Sequence, residues 1–154
     1  MAELKLTFAA VLQSWGMEEH YTGSRRTEPL PTHSAICGLI ANAMGLCRED
    51  EEELRNIMDR IRIASVKHEK AIQRLTDDQI IGTNGRPVET ADGKTKRTFP
   101  MVKKEYIQDN IYEIVIEGDD EIIQMAKTAL VYPKRPPHLG RKCCTGYEYV
   151  LQGV

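Results

Sequence analysis

The sequence predicts an α+β fold, because strand-period and helix-period segments alternate along it in a recognisable order. Leu4, Leu6, Phe8, Ala10 and Leu12 occupy every second position, the mark of a half-buried strand. Two later segments repeat the signal, roughly Ile61–His68 and Tyr106–Glu117, the second with Tyr112, Ile114 and Ile116 on one face. Between and after them, apolar residues recur every three or four positions, as on amphipathic helices.

Each element has its own grounds. The first strand opens the chain. Gln13–Pro31 follows with no period and with Gly16, Gly23, Pro29 and Pro31, so it reads as a long loop, a kind of segment that is often functional. Thr32 or Ser34 caps a helix that runs to about Met44 and stops at Gly45. Its Ala, Gly and Cys content predicts close packing on a sheet. Asp50 caps a second helix, with Glu53 placed for a capping box and Leu54, Ile57, Met58 and Ile61 as its buried stripe. Asn84-Gly85 and Asp92-Gly93 mark turns in a polar stretch, so Ile80–Pro100 reads as a protruding hairpin with a basic descending arm. Gly118 ends the strand that starts at Tyr106. Asp119 or Asp120 caps a third helix with Ile122, Ile123, Ala126 and Leu130 inward, and Tyr147–Gln152 supplies a last strand. Setting aside the second helix and the hairpin, this is the β-α-β-β-α-β order of ferredoxin-like domains, which RNA-recognition modules share. One domain over residues 1–154 is expected, with a basic thumb at about 80–101.

The composition is ordinary for a globular chain, 41% hydrophobic and 29% charged, with a net charge of −2. The charges are unevenly placed. Glu49–Glu53 and Asp119–Glu121 are acidic runs, whereas 94–104 and 134–142 carry several bases and no acid. Separated patches of each sign allow polyanion binding at a net charge near zero. No apolar run reaches membrane-spanning length and the N-terminus has no cleavage pattern, so no membrane partner and a cytoplasmic location are expected. Cys37, Cys47, Cys143 and Cys144 form no paired metal-ligand spacing, which predicts free thiols and neither a metal nor a cofactor.

The motifs of common hydrolases, P-loop enzymes and zinc proteases are absent. A metal-independent RNA-cleaving site would need a general base and a cation, for which His20 or His33, with Tyr21 and Lys103 or Lys104, are the candidates. Binding is the stronger expectation. Single-stranded RNA is held by bases on its phosphates and by aromatic faces on its splayed nucleobases. Trp15, His20, Tyr21, Arg25 and Arg26 interleave these types in the long loop. Lys94, Lys96, Arg97 and Phe99, then Lys103, Lys104 and Tyr106, do so in the basic arm, and His138, Arg141 and Lys142 add a third group.

Several blocks together resemble the CasD family, the fifth CRISPR-associated protein of the subtype I-E Cascade complex. They are Leu12-Gln13-Ser14-Trp15-Gly16, Ser24-Arg25-x-Thr27, Pro31-Thr32-x-Ser34, Gly38-Leu39-Ile40-Ala41 with Gly45, Glu105-Tyr106-Ile107-x-Asp109, and Leu139-Gly140-Arg141-Lys142-x-Cys144. The resemblance implies a ferredoxin-like body with a hairpin thumb. It implies a non-catalytic subunit that holds the 5′ handle of the CRISPR guide RNA beside the backbone and large subunits of Cascade. The implied handle pocket lies within Gln13–Ser34, including Trp15, Arg26 and His33, with Arg25, Thr27, Thr32 and Ser34 holding phosphates or bases. Lys94, Lys96 and Arg97 would touch the guide or a neighbouring subunit, and Arg141 and Lys142 would brace the pocket. Two departures stand out. His33 replaces the basic residue usual inside the P-T-x-S block, and family members usually continue well beyond the position of Val154. The second departure motivates an alternative expectation, a shortened viral or mobile-element homologue that competes for a Cascade partner and inhibits immunity. A relative in a neighbouring subtype cuts the guide RNA, which keeps the endoribonuclease as a further alternative.

Overall fold

The computed structural model describes residues 1–17, 23–80, 87–96 and 101–146. In chain order these form β1 (Ala2–Gln13), β2 (Trp15–Gly16), β3 (Ser24–Arg25), β4 (Thr27–Glu28), α1 (His33–Met44), α2 (Glu51–Arg60), β5 (Arg62–His68), β6 (Gln73–Ile80), β7 (Val88–Glu89), β8 (Thr95–Lys96), β9 (Met101–Gly118) and α3 (Asp120–Val131). The expected turn at Asn84-Gly85 and the expected strand Tyr147–Gln152 lie outside the described residues.

The spine of this mixed α/β structure is β9, 18 residues long. β1 pairs antiparallel along one edge of it, from Ala2↔Gly118 to Gln13↔Ile107. Two strands share the other edge. β5 covers the C-terminal half (Arg62↔Glu117 to His68↔Tyr112) and β6 the N-terminal half (Gln73↔Gln108 to Ile80↔Met101). The handover between them falls at a kink in β9, where Asp109 has φ 44°. The buried Asn110 fills that gap. Its Nδ2 donates to Lys70 O at 3.0 Å, its Oδ1 accepts from Ile111 N at 2.8 Å, and its own carbonyl accepts from Gln13 Nε2 at 2.6 Å.

The alternation read from the sequence explains the core. Leu4, Leu6, Phe8 and Ala10 of β1 and Tyr112, Ile114 and Ile116 of β9 are buried with Ile36 and Ile40 of α1 and Ile122 and Ala126 of α3. Thr32 caps α1 by accepting from Ala35 N at 3.3 Å, and Gly45 ends it at φ 82°. Asp119 caps α3, accepting from Ile122 N at 3.1 Å. Three expectations need correction. β6 is a strand that the sequence did not announce. β9 starts at Met101, five residues before Tyr106. The capping box on α2 does not form, because Asp50 Oδ2 turns back to accept from Cys47 N at 2.6 Å, and Met58 is exposed. The hairpin excursion leaves and returns at the Ile80↔Met101 pair, and within it β7 and β8 pair around Asp92-Gly93. None of the described helices is long and apolar enough to cross a membrane.

Candidate nucleic-acid interface

The long loop after β1 is nailed down at several points. Ser14 N donates to Leu139 O at 3.1 Å and Trp15 N to Thr27 Oγ1 at 2.7 Å. β2 and β4 pair as Trp15↔Glu28 and Gly16↔Thr27, and β3 lies parallel to β9 as Ser24↔Lys103 and Arg25↔Lys104. Gly140 sits so close to the loop (φ 96°) that a Cβ on it would lie 1.7 Å from Ser14 O. At the far end of α1, Lys134 N donates to Ala43 O at 2.8 Å and Arg135 Nη1 to Leu46 O at 2.9 Å. Arg135 of the 134–142 patch therefore holds the chain to itself through its guanidinium, whereas Lys134 does so through its backbone.

What these ties enclose is a groove of about 770 Å³ along α1. Ser34, Gly38 and Asn42, each four residues apart, lie on its floor, the exposed stripe of α1. Arg25, Arg26, Arg48 and Arg141 line it together with Ser14, Ser24, Thr32 and His138, and no Asp or Glu is among its described lining residues. A second hollow of about 660 Å³ shares Gly16, Met17, Thr32 and Ser34 with it and adds Glu28, Pro29, Leu30 and Pro31. The pair spans the N-terminus of α1, whose first amides and dipole favour an anion. Four arginines among its described lining residues, in a chain with 23 acidic and 21 basic residues, give this groove a local concentration of basic side chains.

The residues singled out in the sequence separate into distinct places. Arg25, Arg26, Thr32, Ser34 and Arg141 line the groove. Gln13, Trp15 and Thr27 are fully buried behind it. Trp15 stacks on Phe8 at 5.5 Å and meets Tyr112 edge-on at 6.2 Å, so its ring serves the core and has no face for a nucleobase. His33 turns away from the groove, with Nε2 2.8 Å from Ile61 O and 3.5 Å from Cys37 Sγ. Lys103 and Lys104 lie on β9 beside β3, with Lys104 Nζ bonded to Gln79 Oε1. Lys142 is exposed outside the groove lining, and Lys94 and Lys96 belong to the β7–β8 hairpin. His20, Tyr21, Arg97 and Phe99 lie outside the described residues. Gly38, Asn42 and Arg48 were not anticipated. The four-residue recurrence of small and polar residues on α1 is the signal that marks the first two.

The chemistry on offer is binding through charge and hydrogen bonds. Burial pushes the Cys37 thiol up to about 11, and burial with the neighbouring Cys143 does the same to Cys144, so both stay protonated at neutral pH. Among the described residues, no three His, Cys, Asp or Glu side chains come together as metal ligands.

A sequence model of the family described as CRISPR-associated protein (Cas_Cas5) matches residues 3–153. The chain belongs to that family. Among curated proteins it is similar to CRISPR system Cascade subunit CasD of Escherichia coli (strain K12), with 26% identity over 153 residues, covering 92% of this chain and 66% of the relative. Among solved structures, it superposes on a chain of a CRISPR RNA-guided surveillance complex with TM-score 0.81 and 24% identity, covering 97% of this chain and 62% of that one. A second solved structure, a Cas protein crystal structure, matches with TM-score 0.60 and 22% identity, over 98% and 63% of the two chains. This Cas5-family chain thus spans under two thirds of the length of each relative. The matched part includes the entire groove, from Ser14 to Arg141.

Proposed function

We propose that this Cas5-family chain is a subunit of a type I-E Cascade complex that holds the 5′ handle of the CRISPR guide RNA in the α1 groove and helps assemble the complex. The observation that carries the reading is the cluster of Arg25, Arg26, Arg48 and Arg141 around hydroxyl and amide groups in the described lining of that groove. Such a surface suits a single strand, whose phosphates meet guanidinium groups while bases meet the bare helix floor. The body is a ferredoxin-like unit in this reading, supported by the neighbour order β1-β9-β5 and by two helices that follow β1 and β9. The partners are the backbone and large Cascade subunits, in the cytoplasm. In this reading the role is structural and not enzymatic; of the described histidines near the groove, His33 is engaged by Ile61 O and His138 Nδ1 by Gly140 O.

Fluorescence anisotropy with a labelled single-stranded RNA carrying the 5′ repeat segment of the host CRISPR array tests the groove. Arg25→Ala with Arg26→Ala is expected to weaken binding about 10- to 100-fold, from the loss of two charge-assisted contacts. Unchanged affinity would move the RNA site elsewhere. Incubation of repeat RNA without metal is expected to leave it intact, and a site-specific cut would overturn the non-enzymatic role. Interference should be lost when the protein is withdrawn from the complex. Abolition of interference on adding it to a complete complex would instead mark an inhibitor.

A further inference from the structure

Arg141 lines the groove, but its guanidinium is occupied by protein. Nη1 donates to Glu105 O at 2.9 Å and Nη2 to Arg25 O at 3.0 Å, and Cζ stands 4.6 Å over the centre of the Tyr106 ring. The two carbonyls come from segments far apart in sequence, β9 and β3. β3 is only two residues long, and its parallel bridge to β9 is too short to fix a loop alone. Other nearby ties are the 3.0 Å bond from Lys103 N to Gly23 O and the 3.4 Å bond from Thr27 N to Glu105 Oε2, the latter on the same β9 residue whose carbonyl Arg141 holds.

We infer that Arg141 is a positioning residue: it clamps the β3 backbone to β9, and so aims Arg25 and Arg26 into the groove, and does not itself ligate a phosphate. The inference rests on the groove being the RNA site. The fork explains why arginine occupies this position. A planar guanidinium spans two carbonyls in fixed directions while stacking on an aromatic face, which a lysine ammonium cannot do. The clamp is anchored in turn. Gly140, immediately before Arg141, is wedged against Ser14, and Cys144 N donates to Arg141 O at 2.8 Å. The base of Arg141 thus has little freedom to swing toward a ligand.

The test is a mutant cycle in RNA anisotropy, with the labelled 5′ repeat RNA, run over a series of salt concentrations. Arg141→Gln alone is expected to weaken binding about 10-fold. Added to the Arg25→Ala, Arg26→Ala pair it should change affinity by less than about 2-fold, because the groups it aims are gone. If the triple variant instead loses the full 10-fold, and its log K against log salt slope falls by a further ~0.7, Arg141 is a direct phosphate ligand and the inference fails. Arg141→Lys keeps the charge without the fork. It should weaken binding about 3- to 10-fold, and wild-type affinity would also overturn the inference. Should Arg141→Gln fail to fold, this variant carries the cycle. Hydrogen exchange on the RNA-free protein supplies an arm independent of the ligand. Amides of Gly23–Glu28 should exchange at least 10-fold faster in either variant while those of α3 do not change, and unaltered exchange would show that no clamp exists. Failure of the wild-type protein to bind RNA would remove the groove reading and the aiming of Arg25 with it, while the exchange arm still reports on the clamp.

Discussion

Gly140 and Gly38 look alike in the sequence and have opposite physical meaning. Gly140 adopts φ 96°, and a Cβ there would fall 1.7 Å from Ser14 O. The loop cannot retreat without losing the bond from Ser14 N to Leu139 O. Gly140→Ala should therefore destabilise the protein by roughly 2–4 kcal/mol, through backbone strain added to a backbone clash, as a lowered urea midpoint would show. Gly38 sits inside α1 with nothing within 4 Å of a Cβ built on it. Neither packing nor backbone conformation requires a glycine there, although one costs a helix interior about 1 kcal/mol relative to alanine. Gly38→Ala should raise the urea midpoint, and Gly38→Leu should fold as well as wild type yet lose RNA affinity at least 5-fold by filling the groove floor. Retained affinity in Gly38→Leu would show that the ligand does not approach this face. Trp15 and His33 mark where residue type misleads. Both sit near the loop ends, where a stacking ring or a cation was expected, but the ties of Ser14 and Thr27 draw the indole into the core, and the Ile61 carbonyl claims the imidazole.

Among the elements, those with one wet and one dry face were legible. β1, α1 and α3 stand close to where periodicity and caps put them. β6 was not legible, because Gln73–Ile80 (QRLTDDQI) is an edge strand with most residues exposed, and it leaves no alternation to read. Its existence follows from β9, whose backbone groups beyond the end of β5 require partners. For the same reason the basic stretch from Met101 is strand and not loop. At the start of α3, Asp119 performs two tasks. It caps the helix, and it accepts two hydrogen bonds from Arg60, at 2.7 and 2.6 Å, which ties α3 to the end of α2. The Arg60 hydrogen bonds, with that from Ile122 N, hold the Asp119 carboxyl down at about 2. A folded-state value below the ordinary unfolded one of about 3.9 means that the contribution is complete above that pH and vanishes as pH falls toward the folded value. The urea midpoint of wild type should exceed that of Asp119→Asn at pH 6, and the gap should close between about pH 4 and pH 2. A gap that stays constant over this range would show that the ion pair does not contribute to stability.

Taken whole, the molecule has almost no net charge, so long-range attraction cannot be what brings a polyanion to it. The acidic runs at the starts of α2 and α3, Glu51–Glu53 and Asp120–Glu121, do not line the groove along α1. If the groove is the RNA site, as proposed, local charge inside it accounts for the affinity, and that makes a countable prediction. Besides the clamped Arg141, three guanidinium groups line the groove: Arg25 and Arg26 on the loop after β1, and Arg48 past the C-terminus of α1. α1, with 12 residues, is about 18 Å long, so a strand lying in the groove passes from one group to the other. Each phosphate neutralised on a single strand contributes about 0.7 to the slope of log K against log salt, so three contacts predict a slope of about −2. Arg48→Ala should reduce it by about 0.7 and weaken binding about 10-fold at low salt, with little effect on stability, since Arg48 is exposed. A wild-type slope near −4 would mean that the bases of the β7–β8 hairpin and of β9, Lys94, Lys103 and Lys104, also meet the RNA. In that case the length of strand covered would extend well beyond α1, and the protein would grip the guide with thumb and groove together.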